Sequence, residues 1–139
     1  MSLNAAAHGI ARQLAARAAA LGCEVLETAG VRVVDCGVRA GGGIDAGILM
    51  ARAALSTRQP AHWAAIGREP LYDVIGMREH PAAAVGVLES ARRPPAEACL
   101  RLAADAGVEP QALTLLVART ASPAGTVQVA ARALETALH

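Results

Sequence analysis

The stretch Val31–Gly47, VRVVDCGVRAGGGIDAG, decides the fold. Val31–Cys36 is rich in β-branched side chains and reads as a strand. Val31, Val33 and Asp35 alternate with Arg32, Val34 and Cys36, so one face is not purely polar. Gly37–Gly47 is then a glycine-rich loop, and a helix follows from roughly Asp45 to Leu55. Ser56–Gln59 with Pro60 breaks that helix. A strand that delivers the chain through a small-residue loop to a helix N-terminus is the elementary unit of an α/β sheet.

Working outward, a first helix is expected over Leu3–Leu21, with Ser2 or Asn4 as its cap. Leu3, Ala7, Ile10, Leu14, Ala18 and Leu21 form a continuous apolar stripe, and Gly22 is placed to end the helix. Cys23–Thr28 reads as a strand joined to Val31–Cys36 by an Ala29-Gly30 turn. Trp63–Met77 is ambiguous, with a short helix ending near Gly76. Ala82–Glu89 suits a buried strand. Pro94-Pro95 opens a helix that runs through Ala106 to Gly107, with proline tolerated in the first turn. Leu113–Ala118 is a further buried strand, Ala121–Gly125 a loop and Thr126–Leu138 the last helix. The second half thus repeats the first: helix, strand, small-residue loop, helix. The fold class expected is α/β: a small mixed sheet with covering helices, built from two related strand-loop-helix halves in one compact domain over residues 1–139.

Composition bounds the function. Apolar residues make up 54% and charged residues 18%, which excludes a disordered chain. A net charge of +1 gives no broad electrostatic footprint for nucleic acid or membrane. Arg supplies all the basic residues, Lys and Phe are absent, and Ala fills 35 positions. Each Ala buries little area, so the core is thin, and a homo-oligomer is expected to supply the missing burial. Cys23, Cys36 and Cys99 are widely spaced and form no CxxC, which fits a reduced cytoplasmic protein. No apolar run reaches the ~20 residues of a membrane helix. The N-terminus bears Arg and no acids, as transit peptides do, but its apolar stripe fits an ordinary first helix.

Three segments have the residue types for chemistry. In Gly41–Gly47 the glycines allow close backbone approach to a ligand, and Asp45 either caps the helix or accepts from a ligand N–H. The segment is neither a P-loop nor a GxGxxG fingerprint. In Thr120–Thr126 the hydroxyls either bind a ring amide or phosphate, or cap the helix through Ser122 or Thr126. On the last helix Gln128, Arg132, Glu135 and His139 share one narrow face, opposite Val127, Ala130, Leu134, Ala137 and Leu138. By spacing alone that face is a solvated stripe with an Arg–Glu pair. His8, His62 and His80 are scattered, no HExxH or cysteine cluster occurs, and no metal site is expected.

Two stretches taken together resemble a known family. Val33-Val34-Asp35-Cys36-Gly37-Val38 with Gly42-Gly43-Ile44-Asp45-Ala46-Gly47 is similar to the N-terminal signature of the methenyltetrahydromethanopterin cyclohydrolases. Leu115-Leu116-Val117-Ala118 with Thr120-Ala121-Ser122, Gly125, Val127-Gln128 and Ala131–Thr136 is similar to a later one. Leu71–Gly76, Val87-Leu88-Glu89-Ser90 and Gly107–Pro110 match in order. The resemblance implies reversible hydrolysis of a methenyl bridge to a formyl group on tetrahydromethanopterin, in the one-carbon metabolism of methanogens and methylotrophic bacteria, with no redox cofactor or metal. It assigns Arg132 and Glu135 to catalysis; Gly42, Gly43, Asp45, Thr120, Ser122 and Gln128 are the residues expected to bind the substrate. The chain is a shortened member: the stretch between Leu49 and Leu71 is much reduced, and the family pattern continues beyond His139. Asp45 and Arg119 stand where the family motif has Glu and Pro. A non-catalytic homologue that binds a pterin or a partner enzyme of the pathway is the alternative expectation.

Overall fold

The computed structural model describes residues 3–57, Val74 and 80–138, with the backbone alone for 3, 56, 57 and 134–138. In chain order the elements are α1 (Leu3–Ala16), β1 (Glu24–Thr28), β2 (Val31–Gly37), α2 (Ile44–Thr57), β3 (Ala84–Glu89), α3 (Ala96–Ala106), a 3-10 turn (Pro110–Ala112), β4 (Leu113–Ala118) and α4 (Pro123–Leu138). The expected segment Trp63–Met77 lies outside the described residues except for Val74, which is helical.

The strands form one mixed sheet in the order β1-β2-β4-β3. β1 pairs antiparallel with β2, and β2, β4 and β3 run parallel, with Val34 opposite Leu116 and Leu116 opposite Val87. The β1–β2 hairpin turns on Ala29 (φ 51°) and Gly30 (φ 83°). Positive φ at both central residues is what a type I′ turn demands, because its twist matches the flanking strands.

Alternation along the strands sends side chains to two cores. On one face Val34, Cys36, Val85, Val87, Leu116 and Ala118 meet α1 through Ala7, Ala11 and Leu14, and α2 through Leu49, Met50 and Ala53. On the other, Val31, Val33, Leu113, Leu115 and Val117 meet α3 through Cys99, Ala103 and Ala106. β2 and β4 are therefore buried on both faces, which is why they read as near-continuous apolar runs. The expected repeat is real in space. β2–loop–α2 and β4–loop–α4 stand side by side on neighbouring parallel strands, and α2 and α4 pack on each other. Glycine lets them approach: a Cβ on Gly47 would lie 2.6 Å from the Ala124 carbonyl and 2.9 Å from the Val127 Cβ.

Two expected boundaries move by three residues or more. The α-helix of α1 ends at Ala16, and turns carry the chain on to Gly22, whose φ of 68° makes it the stop that its sequence position predicts. The last helix starts at Pro123, three residues before the expected Thr126. Proline has no N–H to lose in a first turn, and Ser122 immediately before it supplies the cap, so the helix can begin there.

Candidate active site at the C-terminal edge of the parallel strands

In open sheets of this kind ligands gather beyond the carboxyl ends of the parallel strands. Here Gly37 and Glu89 both stand level with Ala118, so β2, β3 and β4 end together. Three loops leave that edge: 38–43, 90–95 and 119–122.

The first loop is fixed by Asp35. β2 carries an irregularity between Asp35 and Gly37, and Asp35 is fully buried. Its Oδ1 accepts from the backbone N–H of Gly37 (3.0 Å) and Val38 (2.7 Å), and its Oδ2 from Arg39 (2.9 Å) and Ala40 (3.3 Å). Arg93, from the second loop, adds its Nε at 2.8 Å to Oδ2 and donates through a terminal nitrogen to Glu24 of β1. Burial pushes the Asp35 carboxyl up, but these backbone donors and the Arg93 guanidinium overcome it and hold the group at about 2. A carboxylate satisfied on every side is a structural anion: it ties the loops after β2 and β3 to each other.

The second network reaches the site from α4. Gln128 is 0% exposed. With its amide oriented to satisfy both neighbours, its nitrogen donates to Glu89 Oε1 (3.1 Å) and its oxygen accepts from an Arg132 terminal nitrogen (2.8 Å). The same Arg132 nitrogen lies 3.1 Å from Glu89 Oε1, with side-chain exposures of 12% for Arg132 and 25% for Glu89. The expected solvated stripe is thus corrected. The Gln128–Arg132 face of α4 turns inward onto the end of β3, while Ala130, expected on the apolar side, is exposed. A helix above a sheet edge meets strand ends rather than sheet face, so its inward side can be polar when Glu89 is there to pair it. Glu135 follows Arg132 by three positions on α4. Its side chain lies outside the described residues, as does His139.

The remaining candidates divide. Ser122 Oγ accepts from Gly125 N–H (3.0 Å) and donates to the Arg119 carbonyl (2.7 Å), so its hydroxyl is engaged as the α4 cap. Thr126, inside the helix, donates to the Thr120 carbonyl (3.1 Å), which leaves Thr120 held at the loop by its backbone. Gly42 (φ 58°) donates to the Gly22 carbonyl (2.8 Å), and a Cβ there would sit 1.8 Å from the Cys36 carbonyl oxygen. A Cβ on Gly43 would meet nothing within 4 Å. Asp45 is exposed in the first turn of α2. Gln128 and Arg132 are therefore in direct contact, Thr120 and Ser122 lie on the loop before α4, Gly42 and Gly43 on the loop before α2, and Asp45 in its first turn. Sequence reasoning missed Asp35, Glu89 and Arg93 as site-building residues. An acid inside an otherwise apolar strand was the signal available for Asp35. Glu89 stood in a stretch that matches the family in order, but nothing local gave it or Arg93 a partner, since those partners lie 43 and 58 positions away.

A separate groove lies elsewhere. It encloses about 710 Å³ between α1 and the β1–β2 ribbon, lined by Gly9, Arg12, Gln13, Ala15, Ala16, Val25 and Arg32. None of its described lining residues is a carboxylate, and Arg32 stands near the opposite end of β2 from the loops, whereas Asp35 and Glu89 stand at the strand ends. Among the described residues no group of three or more His, Cys, Asp or Glu is placed to hold a metal ion, and no helix is long and apolar enough to cross a membrane.

A family model described as cyclohydrolase (MCH) matches residues 2–59 and 57–139. The two matched pieces meet at 57–59, inside the shortened stretch between Leu49 and Leu71. A methenyltetrahydromethanopterin cyclohydrolase of Methylobacillus flagellatus is 51% identical over 73 residues, covering 52% of this chain and 22% of the relative. One of Methylophilus methylotrophus is 49% identical over 73 residues, 52% of this chain and 42% of its own length. One of Methanococcoides burtonii is 30% identical over 165 aligned positions, 84% of this chain and 51% of the relative. Those 165 positions outnumber the 139 residues of this chain, so the relative carries insertions that the chain lacks. The chain spans about half, or less, of the length of the curated relatives it matches.

Proposed function

The chain belongs to the cyclohydrolase (MCH) family, and from that membership we propose that it acts in tetrahydromethanopterin-linked one-carbon metabolism, hydrolysing the methenyl bridge of methenyltetrahydromethanopterin to a formyl group. The observation that carries this reading is the ordered match of both halves of the chain to one family. The arrangement at the strand ends supports it chemically.

The reacting centre of such a substrate is a cationic amidinium carbon. Water adds its oxygen to that carbon and gives up a proton; a carbon–nitrogen bond then breaks, leaving formyl on one nitrogen and a free amine at the other. In this reading Glu135 takes the proton from the attacking water. Arg132, held by Glu89 and Gln128, favours the ionised form of Glu135 and orients the substrate. Gln128 is a positioning residue that accepts from Arg132 and donates to Glu89, the carboxylate partner of Arg132. Gly42, Gly43 and Asp45 on one side, and Thr120 and Ser122 on the other, border the pterin. No separate cofactor is required by this chemistry. The free thiols Cys23, Cys36 and Cys99 fit a reducing, cytoplasmic setting.

Mixing the protein with methenyltetrahydromethanopterin and following both binding and loss of the methenyl absorbance tests the proposal. Turnover is expected, and Glu135→Gln should lower it by about 10²–10⁴-fold while binding survives, since the amide keeps the shape and removes the base. Binding without turnover in the wild type would overturn the hydrolytic reading, and absence of both would overturn the pterin reading as well.

A further inference from the structure

Two cysteines that the proposed hydrolysis does not use face each other at the foot of the glycine loop. The β1–β2 ladder ends with Glu24 opposite Asp35, so Cys23, just before β1, and Cys36, in the irregular step of β2, are the next facing positions. Directly opposed residues on antiparallel strands project to the same face of the sheet, with Cα atoms about 4.5–5.5 Å apart. A disulfide spans about 4.4–6.8 Å between Cα atoms, the range in which facing positions of such a ribbon lie. Cys36 is buried in the core under α1 and α2, Cys23 packs against that core from a half-buried position, and both thiols are free.

We propose that Cys23 and Cys36 form a dithiol site that closes to a disulfide on reaction with a low-molecular-weight disulfide such as oxidised glutathione, with Cys23 as the attacking thiol and Cys36 as the resolving one. Accessibility sets the order, because only Cys23 meets solvent. The thiols are biased the same way: the neighbouring Cys36 thiol holds Cys23 below an ordinary thiol, against burial and the nearby Asp35 carboxylate, while the closeness of Cys23 and burial raise Cys36. The Cys23 thiolate attacks one sulfur of the small disulfide, whose S–S bond breaks to release one thiolate and leave a mixed disulfide on Cys23. Cys36 then loses its proton to solvent, and its sulfur attacks the Cys23 sulfur, expelling the second small thiolate. The small disulfide is reduced to two thiols, and the two cysteines are oxidised by the same two electrons. The bond would tie the start of β1 to the end of β2, directly beneath Gly42, whose backbone touches both Cys36 and Gly22. Cys99 is buried in the opposite core and has no cysteine beside it among the described residues, so it serves as an internal control.

The test uses the full chain, reduced and then incubated with excess oxidised glutathione, quenched in acid and unfolded for counting. Titratable thiols should fall from three to one. The intact mass should drop by two hydrogen atoms with no glutathione retained, and digestion should yield one linked species joining the peptides of Cys23 and Cys36. Cys99→Ser should close like the wild type. Cys36→Ser, or Cys36→Ala, should stop at a glutathione adduct on Cys23. Three persistent thiols, a stable adduct on the wild type, or a link that includes Cys99 would each overturn the proposal; the wild-type result stands even if a Cys36 variant folds poorly.

Discussion

Asp35 shows how one residue can set a loop. Its carboxyl stands at about 2 against 3.8 for an ordinary Asp. A group whose pKa is lowered on folding adds stability above its unfolded pKa, and that stability is lost as pH falls through the folded value. The window is therefore about pH 4 down to pH 2, and with about 1.4 kcal/mol per unit the contribution is about 2 kcal/mol at neutral pH. Urea midpoints measured at pH 7 and pH 3 should show the loss in wild type, and Asp35→Asn should lower the neutral midpoint and flatten the difference. A wild-type midpoint unchanged between the two would remove Asp35 from this role. The glycines of the loop also separate at this scale. Gly42→Ala meets the Cys36 carbonyl and a left-handed backbone that alone costs about 1–2 kcal/mol, whereas Gly43→Ala enters open space. Denaturation curves should show the first variant destabilised and the second close to wild type; equal stability of the two would contradict this geometry.

Among the elements, α4 matters most, because its start and its inward face do different jobs. Its start is fixed by Ser122, whose hydroxyl caps Gly125 while its Cβ sits 2.7 Å from where a Gly37 side chain would be. Ser122→Ala is expected to cost about 1 kcal/mol, the usual worth of a cap, read as a lowered urea midpoint. A variant as stable as wild type would show that Pro123 alone starts the helix. The inward face shows how far a sequence reads. Gln128 and Arg132 have the spacing of a solvated stripe, and periodicity assigns polar residues to water by default. They are instead covered because β3 ends in Glu89, and pairing across 43 positions has no local signature.

For the whole molecule, the thin core has a consequence. Small side chains fill much of both faces, and Ile44 and Ile48 lie one turn apart on α2 at 63% and 45% exposure. A second copy is the expected means of covering such surface. Light scattering at micromolar concentration should return more than the mass of one chain, and a monomer mass would refute the expectation.

What the sequence by itself determined was the succession of elements and their partition into two related halves. Apolar runs such as Leu113–Ala118, stops such as Gly107 (φ 70°) and the Ala29-Gly30 turn are local in origin, since each depends on the dihedral preference or periodicity of a few neighbours. The motif residues that marked the family were legible for the same reason. Tertiary structure alone decided which polar residues became paired at the strand ends. Strand order set β4 between β2 and β3, and this brought Asp35 to Arg93 and Glu89 to Arg132 and Gln128. Burying a charge is costly without a partner, so those contacts fix the site; yet each partner is chosen by the topology of the sheet and not by distance along the chain.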